Sequence, residues 1–251
     1  MKTFDWCGYT WTNEMEGGRI IQSSHPWYWY SSDVITETEN GVLSLAIREN
    51  PKEIKHWNGK IYHSTYEAAT MRSLEDFGYG SFSCEMKMPT GMNLWASFWM
   101  SGSGNWPPEI DINESESGDK SCYFRMTDTR FPWINPSWRT TNNVHYRDEN
   151  LTHNHLGSKN VTIFKQFENP SQHFIEYKCE WFPDKIVFYV NGKVTRTVKG
   201  NVCKQLTDNI KNPEKGFKMN VIFNVWCDNP EYKKVNLSSQ MLIKNFKYEP
   251  F

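Results

Sequence analysis

Three acidic residues crowd one short stretch, Trp106-Pro107-Pro108-Glu109-Ile110-Asp111-Ile112-Asn113-Glu114. Ile110 and Ile112 alternate with Glu109 and Asp111, so the segment reads as a β-strand with isoleucines facing a core and two acids sharing the other face. Like charges this close on one strand are either left in solvent or put to use. One use is the hydrolysis of glycosidic bonds, which in its retaining form needs two carboxyls about 5–5.5 Å apart, one as nucleophile and one as acid and then base.

Glu114 has the wrong parity to join that face, because five residues along a regular strand reverse the side. Without a correction the third position would be Asn113, which cannot donate and retrieve a proton. The chemistry therefore predicts a β-bulge, whose one extra residue returns Glu114 to the face of Glu109 and Asp111. Asp111, between the two glutamates, is placed to hydrogen-bond a neighbour and hold their protonation states apart. The bland readings are a solvated acidic strand or a calcium loop, and the calcium loop fits poorly. Counted from Asp111, the sixth residue is Glu116 where an EF-hand loop requires Gly.

The elements that must position this strand are also strands. Three Asn-Gly dipeptides, Asn40-Gly41, Asn58-Gly59 and Asn191-Gly192, suit type I′ turns. Two of them join convincing hairpins: Val34–Thr38 faces Val42–Ile47, and Ile186–Val190 faces Lys193–Val198. Further β-rich runs occur at Tyr79–Met88, Leu94–Met100, Glu109–Glu116, Phe174–Trp181, Phe217–Trp226 and Met241–Tyr248. No segment sustains a capped helical stripe, so helices should be short and few. Strands spread over the whole chain without a linker predict an all-β fold, one sandwich domain over residues 1–251. Gly118–Asn143 breaks the strand rhythm and reads as a long ordered excursion, too aromatic for disorder.

The motif Glu109-Ile-Asp111-Ile-Asn-Glu114 resembles the bulged E-x-D-x-x-E signature of glycoside hydrolase family 16. The strand pair Phe77–Gly91 and Leu94–Met100 is similar to the family's approach to its catalytic strand. Phe174–Gly192 is similar to its Trp-x-Pro-Asp strand and hairpin. The match extends from about Asp33 to Tyr248. The resemblance implies a curved jelly-roll sandwich of the concanavalin-like kind and endo-acting, retaining cleavage of a β-linked polysaccharide, with no cofactor. It implies Glu109 as nucleophile, Asp111 as its positioning partner and Glu114 as acid/base. Trp106 matches a sugar platform and His145 a residue on the leaving-group side. Secretion, a periplasmic location or the cell surface goes with such a substrate. Met1-Lys2-Thr3 runs straight into Phe4-Asp5-Trp6, so no leader is expected within this sequence.

Composition supports a carbohydrate over nucleic acid. The 251 residues carry a net charge of −1 with 12 Trp, 12 Tyr and 15 Phe. Nucleic acid usually requires a concentrated basic face. No run approaches the roughly 18 apolar residues of a membrane span, and a monomer is expected. The six cysteines lack metal-site spacing, and disulfides stay open. Trp95, Phe98, Trp99, Trp181 and Trp226 read as core or cleft floor, whereas Trp106 beside two prolines reads as exposed. In the excursion, Trp133 and Trp138 with Arg125 and Arg139 are candidates to line the cleft. Arginine forks suit sulfate or carboxylate, which leans the substrate toward an agar- or carrageenan-like galactan, with a laminarin-type β-1,3-glucan behind it. Pairing of those arginines with Glu116, Asp119 and Asp128 explains them slightly better. His145 reads equally as a site residue or a structural histidine. His153-Asn154-His155 could place two imidazoles on one strand face, but no third ligand is evident and no metal is expected. A non-catalytic carbohydrate-binding sandwich is the alternative, and it leaves the three carboxyls unexplained.

Overall fold

A computed structural model describes residues 2–15, 18–56, 59–90, 94–102, 106–117, 138–156, 161–164, 169–208, 218–227, 231 and 235–251. Its strands in chain order are β1 (Thr3–Trp6), β2 (Tyr9–Thr12), β3 (Tyr28–Ser31), β4 (Ile35–Glu37), β5 (Leu43–Leu45) and β6 (Ile47–Lys55). They continue with β7 (Ile61–Ser73), β8 (Gly80–Lys87), β9 (Leu94–Gly102), β10 (Glu109–Ser117), β11 (Trp138–Arg147) and β12 (His153–His155). The last are β13 (Val161–Phe164), β14 (Ile175–Trp181), β15 (Lys185–Val190), β16 (Lys193–Lys199), β17 (Met219–Trp226) and β18 (Met241–Pro250). Among the described residues the one α-helix is α1 (Asn201–Asp208). It is neither long nor apolar enough to cross a membrane.

Two sheets form the sandwich. The larger runs β1-β2-β7-β17-β9-β10-β11-β12, with β13 on β11 and β3 and β6 on β7; the smaller runs β16-β15-β14-β8-β18-β5-β4. Both hairpins expected from Asn-Gly are present. Ile35 pairs with Leu45 across Asn40-Gly41, and Val190 pairs with Lys193 across Asn191-Gly192. Asn191 and Gly192 take φ of 46° and 72°, the left-handed values a type I′ turn requires. The strands on either side of the third dipeptide, β6 and β7, also pair antiparallel. Strand β6 was hidden because Arg48, Glu49, Pro51, Lys52 and Glu53 give it the charged, proline-bearing surface of an exposed edge.

Alternation along the central strands separates core from site. In β9, Ala96, Phe98 and Met100 are fully buried, while Trp95, Ser97, Trp99 and Ser101 take the other face. β17 repeats the pattern, with Val221, Phe223 and Val225 inward. Phe98 stacks on Phe223 at 4.6 Å, and Trp11, Phe246 and Trp6 close around Phe223. Opposite them the smaller sheet contributes Phe82, Cys84, Met86, Tyr177, Cys179 and Ile243. Cys84, Cys179 and Cys203 are buried, unbridged thiols.

One expectation fails in part. The excursion does not extend to Asn143, because Trp138–Arg147 is strand β11, paired with β10, β12 and β13. The consecutive β-branched Thr140 and Thr141 suit a strand, and two neighbouring strands outweigh the Trp- and Arg-rich appearance of its start. Residues 118–137, including Arg125 and Trp133, lie outside the described part.

Candidate active site

Strand β10 carries the expected bulge. Against β9, Asp111 is opposite Trp99 and Asn113 opposite Phe98, leaving Ile112 as the extra residue. Against β11, Glu109 faces His145, Asp111 faces Asn143, and the register shifts before Glu114 meets Thr141. Ile112 and Asn113 both turn inward. Ile112 joins the core, and Asn113 Nδ2 lies 3.5 Å from Met88 Sδ and 3.9 Å from Met86 Sδ. Glu114 thereby shares a face with Glu109 and Asp111. The Thr141 hydroxyl donates to the Glu114 carbonyl at 2.6 Å and pins the strand just past the bulge.

Each glutamate receives an indole N–H. Trp106 Nε1 donates to Glu109 Oε2 at 2.6 Å, and Trp95 Nε1 donates to Glu114 Oε1 at 3.0 Å. Asp111 is 2 % exposed, and its Oδ2 has no hydrogen-bond partner. The imidazole beside it is His145, whose Nε2 lies 3.5 Å from Asp111 Oδ2 and 3.3 Å from Glu109 Oε1. The Asn143 amide is oriented by the Val144 N–H, which donates to its Oδ1, so its Nδ2 faces His145 Nε2 at 3.0 Å.

Burial dominates the electrostatics. It raises Glu109 well above the ordinary carboxyl range, with the neighbouring Asp111 adding to the rise, while His145 and the Trp106 N–H oppose it. Burial raises Asp111 too, reinforced by Glu114. Glu114 is raised by burial and eased back by Trp95 and His145. Charging all three at once is therefore disfavoured, and the cluster retains proton as pH rises past the usual carboxylate range. Such a set can present one carboxylate while a second carboxyl holds a proton. Glu109, Asp111 and His145 also offer ligand atoms within 4.8 Å of one another, close enough to share a cation.

Around the carboxyls the floor is aromatic and polar. Trp95 stacks on Trp226 at 5.1 Å and 18°, and Trp226 stacks in turn on Tyr28 at 5.8 Å. Trp99 donates to Asn224 Oδ1 at 2.8 Å. Trp106 is 49 % exposed, as its prolines suggest, and Arg147 Nη2 fixes it by donating to its carbonyl at 2.7 Å. Beside Glu109 opens a cavity of about 580 Å³ lined by Arg19, Gln22, Arg72, Trp99 and Trp106 among others.

The structure thus brings together Glu109, Asp111, Glu114, Trp106 and His145. The backbones of Trp138 and Arg139 pair with Phe164 and Ile163, with side chains outside the described part, as are Arg125 and Trp133. Sequence reasoning missed Asn143 and Arg147, which act across strands, and read His153 only as one of two imidazoles on a strand face. Trp95 was legible only as floor, although its parity with Trp99 along β9 already put it on the cleft face.

A family model described as glycosyl hydrolases family 16 matches residues 22–239. The chain belongs to this family. The matched span starts before Asp33, taking in β3, and stops short of β18. An endo-1,3-1,4-beta-glycanase, ExsH, of Rhizobium meliloti is 26% identical over 117 residues, 42% of this chain and 24% of that protein. A galactan endo-beta-1,3-galactanase of Flammulina velutipes is 32% identical over 103 residues, 41% of this chain and 38% of that protein. The chain therefore aligns with only about a quarter to two fifths of the length of these family 16 relatives. In fold it is similar to the catalytic domain of an endo-1,3-beta-glucanase (laminarinase) from Thermotoga petrophila. The TM-score is 0.60 at 18% identity, covering 99% of this chain and 94% of that one.

Proposed function

We propose that this family 16 chain is an endo-acting, retaining β-glycanase, working as a single catalytic domain outside the cytoplasm, where polymeric substrates too large to cross a membrane are met. The observation that carries the reading is the bulge at Ile112, which sets Glu109 and Glu114 on one face around Asp111, each gripped by its own indole N–H. A sandwich that only bound sugars would gain nothing from three mutually repelling, buried carboxyls.

In this reading Glu114 gives its proton to the glycosidic oxygen as the Glu109 carboxylate attacks the anomeric carbon. The carbon–oxygen bond breaks, the leaving sugar departs with the proton, and a glycosyl ester remains on Glu109. Glu114, now ionised, takes a proton from water, whose oxygen displaces Glu109 and regenerates both groups. Asp111 positions Glu109, and Trp106 offers a flat apolar ring to a sugar face.

For the substrate we infer a β-linked galactan. The Flammulina relative is described as acting on galactan, and Arg19 and Arg72 line the cavity beside Glu109, where guanidinium forks suit sugar hydroxyls and acidic substituents. A β-1,3-glucan is the rival that the assay must separate. Purified protein is incubated with agar, carrageenan, β-1,3-galactan and laminarin, and the products are sized. Oligosaccharides of mixed length from a galactan, absent with Glu109→Gln, are expected; cleavage of laminarin alone overturns the galactan. Hydrolysis undiminished in Glu109→Gln overturns the mechanism. Glu114→Gln should lose about 10²–10⁴-fold, and less on substrates whose leaving groups need little protonation.

A further inference from the structure

The short edge strand β12 changes the meaning of the His153-Asn154-His155 spacing, for which the sequence offers no third ligand. His155 is the cross-strand partner of His145, and His153 lies two residues away opposite Arg147. Residues i and i+2 share a face and direct partners stand side by side, so three imidazoles from two strands occupy one side of the sheet. Their ring centres are 5.2 Å apart for His145 and His153, 5.4 Å for His145 and His155, and 6.1 Å for His153 and His155. His145 Nδ1 and His153 Nε2 already approach to 2.9 Å.

Those spacings suit a metal ion. With Zn–N bonds of about 2.0–2.1 Å in tetrahedral geometry, ligand nitrogens stand roughly 3.3 Å apart and imidazole centres roughly 5 Å apart. The His145 and His153 rings lie 16° from parallel and the His145 and His155 rings 27°, so the exposed His153 and His155 side chains have to rotate before three nitrogens converge on one ion. We propose that His145, His153 and His155 form a binding site for a divalent transition-metal ion of the zinc or copper type. Three imidazoles select such ions over calcium or magnesium, which take oxygen ligands. The surroundings support the set. With a metal on Nδ1, His145 carries its proton on Nε2, 3.3 Å from Glu109 Oε1, the carboxylate–histidine–metal arrangement that orients a ligand ring; the Asn143 amide nitrogen, 3.0 Å from Nε2 in the metal-free site, then has to turn aside. His153 and His155 are exposed, so the ion reaches them from solvent.

The consequence for the active site rests on the glycanase reading. A metal that fixes the His145 N–H on Glu109 holds the nucleophile in a hydrogen bond it must leave to attack, and it also sits beside Trp106, whose ring is 4.6 Å from His153. Bound metal therefore slows hydrolysis, and a chelator restores it.

The test is calorimetric titration of the full chain, free of any polyhistidine tag, with zinc chloride alone. One site per chain is expected, weakened at least about tenfold by His153→Ala or by His155→Ala and lost in the double variant. Circular dichroism checks that these edge-strand variants keep the fold. No binding heat, or heat unchanged in the double variant, overturns the site. Weakening by Glu109→Gln without effect of the two β12 variants also overturns it, since the ion would then sit on Glu109, Asp111 and His145. Because the titration contains no glycan, its outcome is independent of whether the chain hydrolyses one; zinc inhibition of hydrolysis is measured separately.

Discussion

Replacing Asp111 with Asn should make the protein more stable while it ruins catalysis. Asp111 is 2 % exposed, one of its oxygens has no hydrogen-bond partner, and Glu114 raises it beyond what burial does, while a hydrogen bond with Glu109 pulls it partly back. A buried polar atom left unpaired costs about 1–3 kcal/mol, more when charged. Asn keeps the shape, removes the charge and offers an N–H to the neighbouring carboxyls. For a chain of this size each kcal/mol moves Tm by about 2–4 °C, so a gain of several degrees at pH 7.5 is expected. The sign with pH follows from the direction of the shift. A carboxyl raised in the folded state favours folding while protonated, and that advantage is lost as pH climbs from the unfolded value, about 3.9, through the folded one. The advantage of Asn over Asp is therefore nearly absent below about pH 4 and grows above it. Differential scanning calorimetry of both proteins from pH 3.5 to 8, with glycan hydrolysis assayed in parallel, measures this. A lower Tm for Asp111→Asn at pH 7.5, or a gain equally large at pH 3.5, refutes the reasoning.

The two indoles give a matched pair of further tests. Trp95→Phe keeps a ring against Trp226 but removes the donor that lowers Glu114, so the alkaline limb of kcat/KM should move to higher pH; a limb that stays put or moves down contradicts Glu114 as the acid. Trp106→Phe keeps the platform and loses the N–H on Glu109, and a charge-assisted hydrogen bond of about 1.5–3 kcal/mol predicts a kcat loss of about 10–150-fold with KM little changed. Trp106→Ala should raise KM as well, in steady-state kinetics on the same glycan. In the smaller sheet, a Cβ on Gly80 would lie 2.5 Å from Tyr248 Cε2 and 2.6 Å from the Glu249 carbonyl oxygen. Gly80→Ala should cost about 1–3 kcal/mol in a denaturant titration, with activity per folded molecule unchanged.

Local parity carried most of what was legible beforehand. Glu109, Asp111 and Glu114 with their bulge, the exposed Trp106 and two Asn-Gly hairpins follow from the alternation of residue types within single segments. What escaped depends on which strands become neighbours. Nothing near His153 in sequence signals that β12 will lie against β11 and set His155 beside His145. Asn143 gains its meaning only from the register that puts it opposite Asp111. The first 30 residues gave no clear signal, although β1 and β2 extend the large sheet and β3 runs parallel to β7. Parallel pairing has no turn to announce it. The end of the excursion was misjudged for the same reason: Trp138–Asn143 is strand because β10 and β13 flank it, not because of its own composition.

The stacked pair Trp95 and Trp226 also gives the protein a built-in optical readout. Two indoles 5.1 Å apart and 18° from parallel exchange excitation readily, so the emission of either ring reflects the surroundings of both. One of them is hydrogen-bonded to Glu114, and a neutral carboxyl quenches indole differently from a carboxylate. Ionisation of that one side chain, or a sugar settling over the pair, therefore changes the fluorescence of the unlabelled protein and lets the site be followed during turnover without a dye.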